Sequence, residues 1–289
     1  MGEFENKLIS VAIVTWNRKE HVQRAIKSAL DQTYRPIEIV VVDSNSQDGT
    51  ADAIKNAYPE VKIIRLYRNM GCPVGRNIAI ANCSGDIVFS LDDDAWLGHY
   101  TFELCARRFQ QEAGIGVIAC RVVTPGEKTE DTEREYYTYL FRGGAFAIRK
   151  RIVDEVGYFP SDFFRQGEET DLALRILDRG YDILYCPEAI VYHERAPTNR
   201  NEKLFMFYGC RNELYTVIRR YPLLLVPLAA LWKIIVWNVA GIKNKAIHYT
   251  LFATISALLK SLLLLFQRKP VSVNTIKKIV NLKFSRKPH

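Results

Sequence analysis

The chain has 289 residues, 48% of them hydrophobic and 25% charged, which excludes disorder over most of its length and suits one large domain or a domain with an appendage. The formal net charge of +8 is unevenly spread. Residues 267–289 carry Arg268, Lys269, Lys277, Lys278, Lys283, Arg286 and Lys287 and no acidic residue, a basic tail that suits an anionic surface or plain solvation.

In chain order, residues 8–14 form a short β-branched run that reads as a buried strand. Residues 20–30 place Val22, Ala25, Ile26, Ala29 and Leu30 on one helical face. A second strand is expected over 37–42, then a turn and helix cap at Asp48, Gly49 and Thr50 with a helix to about 57. Residues 61–66 read as a strand, 74–81 as a helix and 87–91 as a fourth strand. This alternation predicts an α/β fold with a mostly parallel sheet flanked by helices, whose ligands bind at the carboxyl ends of the strands. Beyond it, 115–123 reads as a strand, 124–134 as a polar loop and 141–148 as a strand around Gly143 and Gly144. Residues 168–179 form an amphipathic helix ended by Gly180, and 183–185 and 189–192 read as short strands.

Residues 223–239 and 246–266 are apolar apart from Lys233, Asn238, Lys260 and a few polar positions, and each is about long enough to cross a bilayer. Two spans would put Lys243 and Lys245 outside, against the positive-inside tendency, and would bury Lys233 and Lys260 in lipid. A hairpin lying in the interface or re-entering one leaflet fits better; a two-span hairpin and a pair of soluble core helices are the alternatives. With the basic tail, this makes a membrane surface the expected partner, and no nucleic acid. The division is then residues 1–210 as catalytic domain (8–100 and 101–210 as its halves), 211–266 as apolar hairpin and 267–289 as tail. The six cysteines form no C-x-x-C pair, so reduced thiols fit best, and the first apolar run is too short for a signal peptide. The first domain is therefore expected on the cytoplasmic face of the membrane.

Polar groups collect directly after the predicted strands: Thr15, Trp16, Asn17 and Arg18; residues 43–50, with Asp43 and Asn45; Asn69 and Gly71 with Gly75, Arg76 and Asn77; and Asp92, Asp93 and Asp94. A nucleotide needs such a mixture: an aromatic face for the base, a carboxylate for base edge or ribose, an arginine for phosphate. Three adjacent carboxylates repel one another, and burying them is costly without a cation. A divalent Mg2+ or Mn2+ bridging a diphosphate resolves that cost.

Taken together and in order, these segments resemble the signature set of glycosyltransferase family 2, over roughly residues 8–210. The resemblance lies nearest the rhamnosyl- and galactofuranosyl-transferase-like subgroup. It implies a GT-A (Rossmann-like) fold, a nucleotide-diphosphate sugar donor and inversion at the anomeric carbon. It implies that Asp43 reads the base, Trp16 packs on it, and Arg76 contacts the nucleotide, with Thr15, Asn17 and Asn45 beside them. Asp93 would meet the ribose, Asp92 would belong to the nucleotide-sugar site, and Asp94, with Asp92 and His193, would bind the metal. The stretch Gln166, Gly167, Glu168, Glu169, Thr170, Asp171, Leu172 resembles the segment carrying the family's base, usually an aspartate where this chain has Glu169. Glu168 is the competing base or an acceptor-orienting group, and Asp171 is expected to support the helix start. Gly143 and Gly144 resemble the small-residue segment beside acceptor and donor sugar, where backbone must approach a ligand. The membrane-like C-terminus suggests a lipid-linked or cell-surface glycan as acceptor. A nucleotidyltransferase and a non-catalytic nucleotide-sugar-binding membrane protein are the rival readings.

Overall fold

The fold comes from a computed structural model, which describes residues 7–126, 134–194 and 201–284. The first half follows the alternation expected from the sequence: β1 (Ile9–Thr15), α1 (Lys19–Leu30), β2 (Ile37–Asp43), α2 (Thr50–Ala57), β3 (Lys62–Arg65), α3 (Cys72–Ala81) and β4 (Ile87–Asp92). These four strands run parallel in the order β3-β2-β1-β4. In β1, β2 and β4 most apolar residues are buried on both faces, which is why these strands read as continuous runs rather than alternating ones; Ile63 and Ile64 of the edge strand β3 are half-buried.

The second half holds β5 (Ala95–Leu97), α4 (Thr101–Gln111), β6 (Ile115–Val123), β7 (Tyr136–Thr138), β8 (Ala145–Arg149), α5 (Lys150–Val156), α6 (Glu168–Asp178) and β9 (Asp182–His193). It extends the sheet as β4-β8-β6-β9-β5, with β7 on β9. Pairing is antiparallel except between β6 and β9, so the sheet is mixed. Two cores flank it. One packs Val22, Ile26, Phe102 and Phe109 of α1 and α4 on one face, and the other packs Ala79, Ile152, Leu172 and Ile176 of α3, α5 and α6 on the opposite face.

Several expectations need correcting. Gly143 and Gly144 precede β8 in a turn closed by a hydrogen bond from the Ala145 amide to the Arg142 carbonyl, so the strand starts later than 141. Residues 183–185 and 189–192 are one strand. The register with β6 jumps from Cys120↔Cys186 to Arg121↔Ile190, and Pro187, which lacks an amide donor, lies in the bulge. The expected polar loop at 124–134 lies largely outside the described residues. The six cysteines are free thiols.

Beyond β9 come α7 (Glu202–Arg220), α8 (Val226–Lys243), α9 (Ile247–Phe266) and α10 (Val273–Phe284). Residue 210, the expected domain boundary, sits in the middle of α7. Phe163 of the catalytic domain packs with Cys210, Leu214 and Tyr215 of α7 and Ala253, Ala257 and Leu264 of α9 in a third core. Lys233 and Lys260, which two membrane spans would have buried in lipid, are paired: Lys233 with Glu213 at 2.8 Å and Lys260 with Asp162 at 2.9 Å. The basic tail is not wholly solvated either. The Ser272 amide and Thr275 hydroxyl donate to Asp178, and Lys278 pairs with Asp182, which docks α10 on α6 and β9.

Candidate active site

Strand register builds the site. Thr15 at the end of β1 faces Asp43 of β2 on one side, and Val14 faces Asp92 of β4 on the other. Adjacent strands lie about 4.8 Å apart, so Asp43 and Asp92 stand on one rim about 10 Å from each other. The loops after β1 and β2 are tied together by Asn17. Its backbone is left-handed (φ 52°), its amide donates to Ser46 Oγ at 2.8 Å, and its Oδ1 accepts from the Gln47 amide at 2.7 Å. Trp16 between them is 38% exposed and so is not a core aromatic. Thr15 is buried. The Asp43 carboxylate is also buried, accepting from the Ser46 amide (3.1 Å) and hydroxyl, with Arg65 Nε at 3.6 Å. Asn45 Nδ2 donates to the Tyr67 carbonyl at 3.2 Å.

The acidic run crosses from β4 to β5. Asp92, Asp94 and His193 offer ligand atoms all within 4.8 Å of one another. His193 arrives because β5 pairs antiparallel with the end of β9, placing Ala95 opposite His193. Its Nε2 lies 2.9 Å from Asp94 Oδ1. Arg18 belongs to the polar run after β1 but was given no role from the sequence. Its Nη1 bridges Asp93 Oδ1 (2.7 Å) and Asp94 Oδ2 (3.0 Å), supplying a cation to the run. Burial raises Asp93, Arg18 pulls it down and the like charge of Asp94 raises it, leaving it at about 6. Two carboxylates and an imidazole this close form a hard, borderline donor set that fits Mg2+ or Mn2+.

The second cluster lies beneath the first. Arg76, buried on α3, donates from Nη2 to Asp92 Oδ1 (2.8 Å) and from Nη1 to Glu168 Oε1 (2.7 Å). It therefore joins the acidic run to the start of α6. Glu168 is buried and its Oε2 has no hydrogen-bond partner. Burial, then the charge of Glu169, pushes Glu168 up to about 8 against the pull of Arg76. Glu169 is half-buried, also raised chiefly by burial, and its Oε1 accepts from the Gly143 amide at 3.0 Å. Both glycines are required by space. A Cβ on Gly143 would lie 2.4 Å from Glu169 Oε1, and one on Gly144 only 1.9 Å from Asp92 Cγ.

Asp171 lies outside this cluster. It is fully buried and accepts from Arg175 (2.8 Å) and Arg220 (2.7 Å), joining α6 to α7 as a structural group. Asn212 of α7 was also missed by sequence. Its Nδ2 donates to the carbonyls of Arg165 (2.8 Å) and Gln166 (2.7 Å), ahead of the left-handed pair Gln166 (φ 67°) and Gly167 (φ 78°) that opens α6. A lone mid-helix asparagine carries no local signal for this.

One rim thus gathers the nucleotide-type residues, the acidic run and the glutamate pair. The family model described as "Glycosyl transferase family 2" matches residues 10–165. The chain belongs to glycosyl transferase family 2. The two glutamates fall just beyond the matched stretch. This transferase is 24% identical over 264 residues to glycosyltransferase AglE of Haloferax volcanii, covering 83% of each chain. It is 33% identical over 180 residues to the Campylobacter jejuni GalNAc(5)-diNAcBac-PP-undecaprenol beta-1,3-glucosyltransferase, covering 57% of this chain and 58% of that one. Among solved structures, Staphylococcus aureus TarS 1-349 in complex with UDP-GlcNAc aligns with a TM-score of 0.65 at 15% identity, over 90% of this chain and 81% of that one. Mannosyltransferase PcManGT from Pyrobaculum calidifontis, in complex with GDP-Man and Mn2+, aligns with a TM-score of 0.60 at 16% identity, over 98% of this chain and 88% of that one. The transferase therefore has the GT-A fold that its motifs implied.

Proposed function

We propose that this family 2 chain is an inverting, metal-dependent glycosyltransferase that moves a sugar from a nucleotide-diphosphate sugar to a hydroxyl of a lipid-linked glycan at the cytoplasmic face of a membrane. The observation that carries the reading is the convergence of Asp92, Asp94 and His193 within 4.8 Å, joined through Arg76 to the glutamate pair. Asp94, Asp92 and His193 would hold Mn2+ or Mg2+, which would supply Lewis-acid charge to the diphosphate oxygens. PcManGT is described with GDP-Man and Mn2+, which supports that ion class. Trp16, Asp43 and Asn45 border the base and ribose, with Thr15 and Asn17 setting the loop, and Asp93 lies beside the ribose.

Glu169 is the base. It is the less buried of the two glutamates and is aimed at the Gly143 backbone by a 3.0 Å hydrogen bond. The acceptor oxygen bonds to the anomeric carbon as the bond from that carbon to the phosphate oxygen breaks. The hydroxyl proton passes to Glu169, the nucleoside diphosphate leaves, and attack opposite the leaving group inverts the centre. Glu168, buried against Arg76, holds the arginine rather than the acceptor. The lipid-linked acceptor is supported by the relative named for a PP-undecaprenol substrate and by the apolar helices at residues 223–266.

Donor hydrolysis and transfer measured with and without Mn2+ test the reading. Asp94→Ala should lose at least about 100-fold in turnover. Glu169→Gln should lose about 100-fold or more in kcat while binding donor normally by calorimetry. Full activity in Asp94→Ala would remove the metal claim, and normal turnover in Glu169→Gln would move the base elsewhere. A donor panel spanning glucosyl, rhamnosyl and galactofuranosyl nucleotides assigns the sugar.

A further inference from the structure

A groove of about 910 Å3 runs between α7 and α9, outside the nucleotide rim. Its walls are apolar and aromatic, formed by Phe207 and Tyr215 of α7 and Phe252, Ile255 and Leu259 of α9, with Lys260 at one end. That volume suits a chain-like apolar ligand.

The end near Lys260 is cationic. The half-buried Arg211 guanidinium lies 5.5 Å from the Phe207 ring and 5.2 Å from the Tyr215 ring, both of which line the groove. It forms no ion pair with a described residue. Its hydrogen bonds go to Asn212 Oδ1 (2.8 Å) and the Asp162 carbonyl (3.4 Å). Lys260 lies 5.0 Å from the Tyr215 ring and shares the Asp162 carboxylate with Arg219. Burial raises Asp162, but the hydrogen bonds from Arg219 and Lys260 outweigh it and hold the group at about 2, so it stays ionised. Arg219 and Lys260 thus share one carboxylate while Arg211 reaches only the carbonyl of the same residue, and the groove's end keeps an excess of positive charge.

This end adjoins the catalytic segment. Asn212, bonded to Arg211, also grips the carbonyls of Arg165 and Gln166, immediately ahead of Glu168 and Glu169. Phe164 stacks on Tyr208 while its carbonyl accepts from the Cys72 amide at the start of α3, the helix that bears Arg76.

We infer that the groove binds the lipid part of the acceptor, a phosphate-linked isoprenoid, with its chain along α7 and α9 and its phosphate on Arg211. An apolar chain ending in an anion matches an apolar groove with Lys260 at one end and, against its Phe207 and Tyr215 rings, an arginine that has no acidic partner among the described residues. A glycan on that phosphate would start beside the segment leading to Glu169. The inference rests on the lipid-linked reading of the acceptor and locates where that lipid sits.

The test uses the full chain in nanodiscs of phosphatidylcholine and phosphatidylglycerol. The probes are a benzophenone-tipped isoprenyl diphosphate and the alcohol of the same chain. Photolabelling should fall on the groove-facing residues of α7 and α9, at least about tenfold more efficiently for the diphosphate. Arg211→Gln should bring the two probes close to equality. Ser256→Trp, which fills the groove, should cut labelling by both about fivefold or more. The wild-type label map stands even if either variant folds poorly. Labelling confined to α8, no preference for the diphosphate, or equal competition by added phosphatidylglycerol would overturn the inference and make the groove ordinary bilayer contact. Donor hydrolysis in the same samples separates the two failures. Its absence with every nucleotide sugar sinks the transferase reading, whereas hydrolysis without groove labelling sinks the lipid groove alone.

Discussion

Gly144 occupies a position where a methyl group would coincide with a carboxylate, its Cβ falling 1.9 Å from Asp92 Cγ. Relieving that overlap requires the Asp92 side chain to turn away from Arg76, which it meets at 2.8 Å. Gly144→Ala should therefore weaken Mn2+-dependent binding of nucleoside diphosphate about tenfold or more by calorimetry, with near-native circular dichroism. The glutamate pair gives a pH prediction. Folding lifts Glu168 from an ordinary 4.5 to about 8, so the native state holds a proton the unfolded chain has released. Its stabilising contribution is complete below about 4.5 and is lost as pH rises toward 8. Glu168→Gln should accordingly show a flatter Tm across that window than the parent chain. Burial also raises Glu169, so wild-type transfer should climb with pH as that carboxylate loses its proton and becomes available as a base. A rate that falls as pH rises would argue against a carboxylate base. The motif residues at 15–18, 43–45, 76 and 92–94 were legible because polar side chains at the ends of buried strands have few other reasons to sit there. The pairing of Arg18 with Asp93 and the role of Asn212 were not, since the partners lie 75 and 47 residues away.

At the scale of elements, α6 and α7 are held together by one buried carboxylate between two arginines. Asp171→Ala would leave Arg175 and Arg220 without their shared counter-charge, and a loss of about 3–5 kcal/mol is expected, read as a lower Tm. Donor affinity in the surviving folded fraction should change little, because Asp171 touches no residue of the rim. The strand and helix alternation of the first half was readable from local periodicity. The helix α4 carried the same kind of signal, with Phe102, Cys105, Ala106 and Phe109 buried on one face, and was passed over. The helix α7 differs in kind. Its buried residues include Met206, Gly209, Cys210, Asn212, Leu214 and Tyr215, spread around the cylinder because the catalytic domain covers one side and α8 and α9 the other. A helix enclosed in that way presents no polar stripe to mark it.

At the scale of the molecule, α8 and α9 have one side against α7 and another open. Leu224, Leu259 and Phe266 are 93%, 82% and 89% exposed, while Lys233 and Lys260 turn inward to Glu213 and Asp162. The open leucines and the inward lysines together favour a hairpin lying on a bilayer with its cations sheltered against the domain. Replacing Leu224, Leu262 (70% exposed) and Phe266 together by aspartate should move the protein from the floating to the soluble fraction in vesicle flotation without changing donor hydrolysis in detergent. Unaltered flotation would place the membrane contact elsewhere.

The sequence by itself determined the α/β core, the polar runs at the strand ends and the presence of two long apolar helices, because each is written in residues adjacent or one helical turn apart. Only the tertiary structure decided which carboxylates share Arg76 and Arg18, that His193 reaches Asp94 through the β5–β9 pairing, and that the apolar helices are built onto the catalytic domain. Those are contacts between distant parts of the chain. Packing, rather than any local pattern, selects them.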